Sequence, residues 1–123
     1  MTFIADYVLD AALAILDTEA NRLDVCSQEP ATYLEATDTY SLGNKTSLSV
    51  GSPVDNSTNG RKVTVAQITD GVVTDDGTVS HWAITDTVNS RLLATGALAG
   101  LQGVSNGNIF TLTQFDIIFP DVA

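Results

Sequence analysis

Along the first twenty residues apolar side chains return at steps of three and four, so that Ile4, Tyr7, Val8, Ala11, Ala12, Ile15 and Leu16 fall on one side of a helical wheel. This spacing predicts a helix over 2–20. Thr2 stands as its N-cap, Asp6 lies at the positive end of the helix dipole, and Ala11-Ala12-Leu13-Ala14 adds high intrinsic propensity. Leu9 and Leu13 fall outside that stripe and widen the apolar surface. The helix is therefore expected to be covered on a second side, by the sheet or by a neighbouring subunit.

From Arg22 to Ser27 the period drops to two, with Leu23 and Val25 alternating against Arg22 and Asp24 as in a half-buried strand. Residues 28–60 carry Pro30, Pro53 and the turn-forming run from Asp55 to Gly60, and read as a long connection with one short strand near 46–50. Long connections inside compact domains are usually functional or ordered by a partner. Tyr33, Leu34, Tyr40 and Leu42 make this one too apolar for a plain linker, and are expected to dock on the chain itself or on another subunit.

Beyond residue 60 strands and turns alternate. A strand over 61–69 and a short partner over 71–74 lead through a hairpin turn at Asp75-Asp76-Gly77 into a strand over 78–86. The turn Thr87-Val88-Asn89-Ser90 precedes a strand over 91–98, then a loop with Gly100, Gly103 and Asn106-Gly107, and a last strand region over 108–119. In that region Phe110 and Leu112 point to one side, and Phe115, Ile117 and Phe119 to the other. Side chains alternate strictly across a strand, so the switch near Thr113-Gln114 predicts a bulge or a passage between sheets. The pattern amounts to a mainly β fold, an antiparallel β-sandwich with an N-terminal α-helix. It forms one domain over 1–123, with the helix in 1–20, a strand and long connection in 21–60, and sandwich strands in 61–123.

Composition narrows the function classes. The 123 residues hold 15 acidic and 5 basic side chains, a formal charge of −10. Such a chain repels phosphate backbones and anionic lipid heads, so neither nucleic acid nor membrane is an expected partner. The start of the sequence lacks the positive region of a signal peptide, and no apolar run reaches membrane-spanning length. Cys26 and His81 are the only residues of their types. A disulfide within the chain is impossible, and a Cys–His nucleophilic pair would have to join these two. Cys26 in its apolar surroundings reads as a small buried thiol instead.

Other candidate chemistry has a structural explanation of equal or greater economy. Asp75-Asp76-Gly77 lacks the evenly spaced acids of an EF-hand and suits a turn. Asp86 and Asp116 could pair as glycosidase acids, but an acidic chain always offers such pairs. Trp82 shares a strand face with Ile84 and reads as core, with sugar stacking as the alternative, while His81 faces away with Val79 and Ala83. Gly100-Leu101-Gln102-Gly103 lacks the Lys-Ser/Thr of a phosphate loop, and no nucleophile elbow occurs. The residues imply no enzyme, no cofactor and no metal.

The runs Asn21 to Pro30, Tyr40-Ser41-Leu42-Gly43, Ser80 to Asp86, Ser90 to Leu98, Val104 to Phe110 and Phe115-Asp116-Ile117 resemble small virion proteins of tailed bacteriophages and prophages. The resemblance spans most of the chain and rests on turn glycines and strand residues. It implies a non-catalytic head decoration, or cement, protein that binds the major capsid protein on the outer capsid surface, after release into the host cytoplasm and assembly as a homotrimer. A tail or fibre component is the alternative, either a tube or connector subunit or a host-glycan-binding module. Under the decoration reading Leu9, Leu13, Tyr33, Leu34, Tyr40 and Leu42 are candidate subunit or capsid contacts. Arg22, Arg61, Lys62 and Arg91 are candidates for acidic capsid surfaces.

Overall fold

A computed structural model describes residues 5–56 and 60–119. The chain is a mainly β sandwich with one N-terminal helix, α1 (Asp6–Glu19). Nine strands follow: β1 (Arg22–Cys26), β2 (Ser41–Thr46), β3 (Val54–Asp55), β4 (Arg61–Val65), β5 (Ile68–Val73), β6 (Gly77–Asp86), β7 (Arg91–Val104), β8 (Ile109–Leu112) and β9 (Phe115–Phe119). They form a six-stranded sheet in the order β7-β6-β1-β2-β5-β8 and a three-stranded sheet in the order β3-β4-β9, with all pairings antiparallel. Between them lies a core built from Leu23, Val25, Val63, Val65, Ile68, Val73 and Ile84.

Three segments join the sheets, a longer one from β2 to β3 and two short ones. The run read as one strand over 61–69 splits at Ala66-Gln67, where β4 leaves the small sheet and β5 enters the large one. The phase switch at Thr113-Gln114 is likewise a passage between sheets, from β8 to β9. In both places the apolar positions change face, because each strand must present its side chains to the same core from the opposite side.

α1 turns a different face inward from the one its most regular stripe predicts. Leu9, Leu13, Leu16 and Ala20 are buried, while Tyr7, Val8 and Ile15 are 77%, 57% and 44% exposed. Leu9, Leu13 and Leu16 bury more aliphatic area than the part of the stripe in which Ala11 and Ala12 stand beside Val8 and Ile15. The rotation is further fixed by Arg61 on β4, whose Nε and Nη2 donate to the two oxygens of Asp10 at 2.7 and 3.1 Å. Ala5 occupies the N-cap without a side-chain hydrogen bond, and Thr2 and Ile4 lie outside the described residues.

Other expectations shift as well. Asp75-Asp76-Gly77 is not a hairpin turn: β5 and β6 are separated in the sheet by β2 and β1, and Thr74 and Asp75 donate backbone N–H groups to Leu42 O. The connection holds two strands rather than one, β2 at 41–46, which flanks β1 in the large sheet, and the two-residue β3, and the expected 46–50 contributes only the end of β2 and an isolated bridge from Val50 to Val65. β7 runs on to Val104 through the region read as a glycine loop, with a register shift against β6 between Val79 and His81. That shift brings Val79 into the main core beside Trp82 and Ile84 rather than beside His81. Of the turn run from Asp55 to Gly60, residues 57–59 lie outside the described set.

Two glycines are required by aromatic neighbours across the ladder. A Cβ on Gly96 would strike the ring of its partner Trp82, and one on Gly71 would strike the ring of its partner Phe110. Each ring lies over bare backbone and closes an outer pair of the large sheet, a use of strand glycine that sequence periodicity does not show.

Candidate interaction surfaces

The residues nominated as contacts separate into spent and available groups. Leu9, Leu13 and Leu42 are buried within the chain, so as subunit or capsid contacts they are corrected to core positions. Tyr33 and Tyr40 are half-buried and Leu34 is 61% exposed. The last three sit on the connection after β1, which folds into a short π-helical turn, Glu35–Thr39, over the outer face of β1 and β6. Ala36 at its centre packs with Cys26 and Ala83, and Tyr40 borders this cluster. The connection thus docks on its own chain and leaves Leu34 outward.

The four basic candidates all hold carboxylates of the same chain. Arg22 grips the buried Asp24 through Nε at 2.7 Å and Nη2 at 2.9 Å, and Ser41 Oγ donates to Asp24 Oδ2 at 2.5 Å. Burial pushes the Asp24 carboxyl up, against the opposing pull of Arg22 and Ser41, while the bond to Asp24 raises the Arg22 guanidinium. Arg61 holds Asp10, and Lys62 reaches Asp116 at 3.2 Å. Arg91 contacts Glu19 at 2.9 Å and Asp86 at 3.6 Å. Even Lys45 is engaged, with Asp70 at 3.0 Å. All five basic side chains are therefore neutralised internally, whereas Glu29, Asp38, Asp75 and Asp76 have no ion pair among the described residues.

Comparison with known proteins gives no match to a family model, a curated protein or a solved structure.

Register places His81 directly opposite Cys26 on β1 and β6. The pairing does not activate the thiol. Cys26 Sγ donates to Ala36 O at 3.6 Å, and burial together with Asp24 pushes its pKa up to about 12. A nucleophilic cysteine needs the reverse shift. His81 Nδ1 lies instead 2.8 Å from Ser80 Oγ. Asp86 and Asp116 are held by separate structures. Asp86 accepts from the Asn89 side chain and from the N–H groups of Asn89 and Val88 in the β6–β7 turn. Asp116 accepts from Thr64 Oγ1 at 2.7 Å on β4. Both carboxyls are held below their ordinary range, Asp86 chiefly by Asn89 and Asp116 chiefly by Thr64 and Lys62. Among the described residues no group of three His, Cys, Asp or Glu is placed to hold a metal ion, and no helix is long and apolar enough to cross a membrane. Trp82 is tilted against Phe115 with ring centroids 4.7 Å apart, joining the two sheets.

What the residue list missed is the outward side of α1. Tyr7, Val8, Ala11, Ala12 and Ile15 are all exposed and adjacent on the helix. Beyond Ala12 and Ile15 the surface dips into an open cavity of about 380 Å³, lined also by Leu93 on β7 and by Ile118 and Phe119 on β9. The sequence carries this signal in its most regular apolar stripe, of which Leu16 turns to the core and Tyr7, Val8, Ala11, Ala12 and Ile15 face outward.

Proposed function

We propose that this chain is a non-catalytic structural subunit of a phage particle, a head decoration protein that binds the outer capsid surface. The observation that carries the reading, beside the resemblance in the strand and turn motifs, is the division of the surface. Apolar side chains lie outward together on α1 and at Leu34 on the connection, while all five basic side chains are held in ion pairs with the chain's own carboxylates. A decoration subunit needs such contact surfaces, and gains from binding many equivalent sites that appear only on the assembled shell. The engaged basic residues direct the capsid contact toward basic or neutral ground.

The test is localisation. Purified chain added to shells lacking it should appear as regular density on the outer surface by electron microscopy, with shells more resistant to heat. Labelling of tails alone would overturn the reading in favour of the tube, connector or fibre alternative.

A further inference from the structure

We propose that the seam between β7 on one side and β8 with β9 on the other receives an extended segment of a second protein, which inserts as a strand and hydrogen-bonds to both walls. This goes beyond the assignment to a particle and stands without it. β7 and β8 follow one another through a turn at 105–108, where the Asn108 N–H donates to Ser105 O at 3.1 Å. Strands so joined ordinarily close into a hairpin. These do not. β7 and β8 are the opposite edges of the six-stranded sheet, β9 is an edge of the small sheet, and among the described residues no backbone hydrogen bond joins β7 to either.

The space between the two walls is open. Cavities of about 380, 420 and 170 Å³ follow one another along it, the first bordered also by α1. β7 lines them in turn with Leu93, Leu98 and Val104, and the opposite wall with Ile117, Leu112 and Ile109. Residue numbers rise on one wall as they fall on the other, so the walls run antiparallel side by side. Leu93, Leu98, Val104, Leu112 and Ile117 are only partly buried and pack against the main core, which therefore reaches the surface along the seam.

The bare edges dictate what fills it. Each presents alternating N–H and C=O groups, and an extended backbone laid between them matches both rows. Alternate side chains of that strand point into the cavities and extend the apolar core. A second copy has no such segment to give, since among the described residues every strand already lies in a sheet and the connection after β1 is docked on its own chain. Polarity narrows the occupant further. Residues 92–104 and 109–112 carry no charge, and Asp116, the one charged residue of β9, turns to Thr64 and Lys62 on β4 at 2.7 and 3.2 Å. The inserted stretch is accordingly uncharged, with apolar side chains at every second position. Leu93 to Leu98 spans roughly 16 Å at about 3.3 Å per residue, so a segment of about six to nine residues suffices.

Fluorescence anisotropy of labelled nine-residue peptides reads the insertion. A set alternating valine, leucine or isoleucine with threonine should contain members that bind at least tenfold tighter than peptides of the same composition with the apolar residues grouped together. With such a member bound, hydrogen exchange should slow at least tenfold in β7 and also in β8 or β9. Ala97→Lys and Thr113→Lys, at exposed positions on either side of the second cavity, should each weaken binding at least tenfold while leaving the circular dichroism spectrum and melting temperature unchanged. Equal binding of alternating and grouped peptides, no binding by any member, protection confined to one wall, or folded A97K and T113K that bind as the wild type does overturns the proposal. So does a wild-type chain that self-associates in sedimentation equilibrium with both walls protected, which would assign the seam to a second copy. The assay contains no shells, so failure of the capsid reading leaves its outcome intact.

Discussion

The two faces of the large sheet at β1 and β6 are closed by different means. Toward the small sheet Leu23 and Ile84 are register partners, fully buried among other aliphatic side chains. On the opposite face, Asp24, Cys26, Ala83 and Thr85 are equally buried, with Cys26 and Ala83 packed under Ala36 of the connection rather than under a second sheet. There the small apolar cluster of Cys26, Ala36 and Ala83 sits beside the bidentate Arg22–Asp24 pair and Ser41. Equal burial thus has unequal energetic content. The inner face gains from apolar area, whereas on the outer face hydrogen bonds and ion pairing mainly offset the cost of desolvation.

Substitutions can break this contrast. The largest loss is expected for Leu23→Ala, about 3 kcal/mol by urea unfolding, because the surrounding two-sheet core cannot collapse onto the cavity. Asp24→Asn should cost less, about 2 kcal/mol, since Arg22 remains partly exposed to water when its partner loses charge. A loss for Asp24→Asn larger than for Leu23→Ala would reverse the proposed ranking. Thr85 sharpens the comparison from the other direction. Its Oγ1 is buried without a hydrogen-bond partner among the described residues, so Thr85→Val should stabilise the fold by about 1 kcal/mol on the same assay. A clear loss would show that the hydroxyl contributes something the outer face needs.

The smallest effect concerns acid. The Asp86 carboxyl is lower in the folded chain than its ordinary value, so between those two values the unfolded chain binds more protons. Its contribution is present above the ordinary carboxylate range and is lost as pH falls through the folded value. Asp24 has the opposite sign, its raised carboxyl favouring the folded chain as acid is added. Asp86→Ala should flatten the acid limb of a stability profile taken by chemical denaturation at successive pH values. An unchanged limb would assign the acid sensitivity to other carboxylates.

Much of the strand content was legible because period-two alternation is local: β1 starts at Arg22 as expected, and the apolar phase change after Leu112 marks where β8 gives way to β9. Strand order was not legible. Asp75-Asp76-Gly77 has the chemistry of a hairpin, yet β5 and β6 do not pair, since pairing is decided by distant strands competing for each edge. The contact residues fared unevenly for the same reason. Leu42 and Leu34 have similar side chains in one connection, but Leu42 is buried and Leu34 exposed. Arg22 shows the same limit in charge, because its ion pair with Asp24 depends on β1 being covered on both faces.

By itself the sequence determined a mainly β chain, an N-terminal helix with two apolar sides, and an acidic surface, all of which follow from periodicity and side-chain chemistry within short windows. Only the tertiary structure decided which side of α1 meets the core. The choice depends on the aliphatic area Leu9, Leu13 and Leu16 bury against β4 and its neighbours, and on Arg61 reaching Asp10 across 51 positions of sequence. It left Tyr7, Val8 and Ile15 facing outward, since one helix cannot present both of its apolar sides to one sandwich.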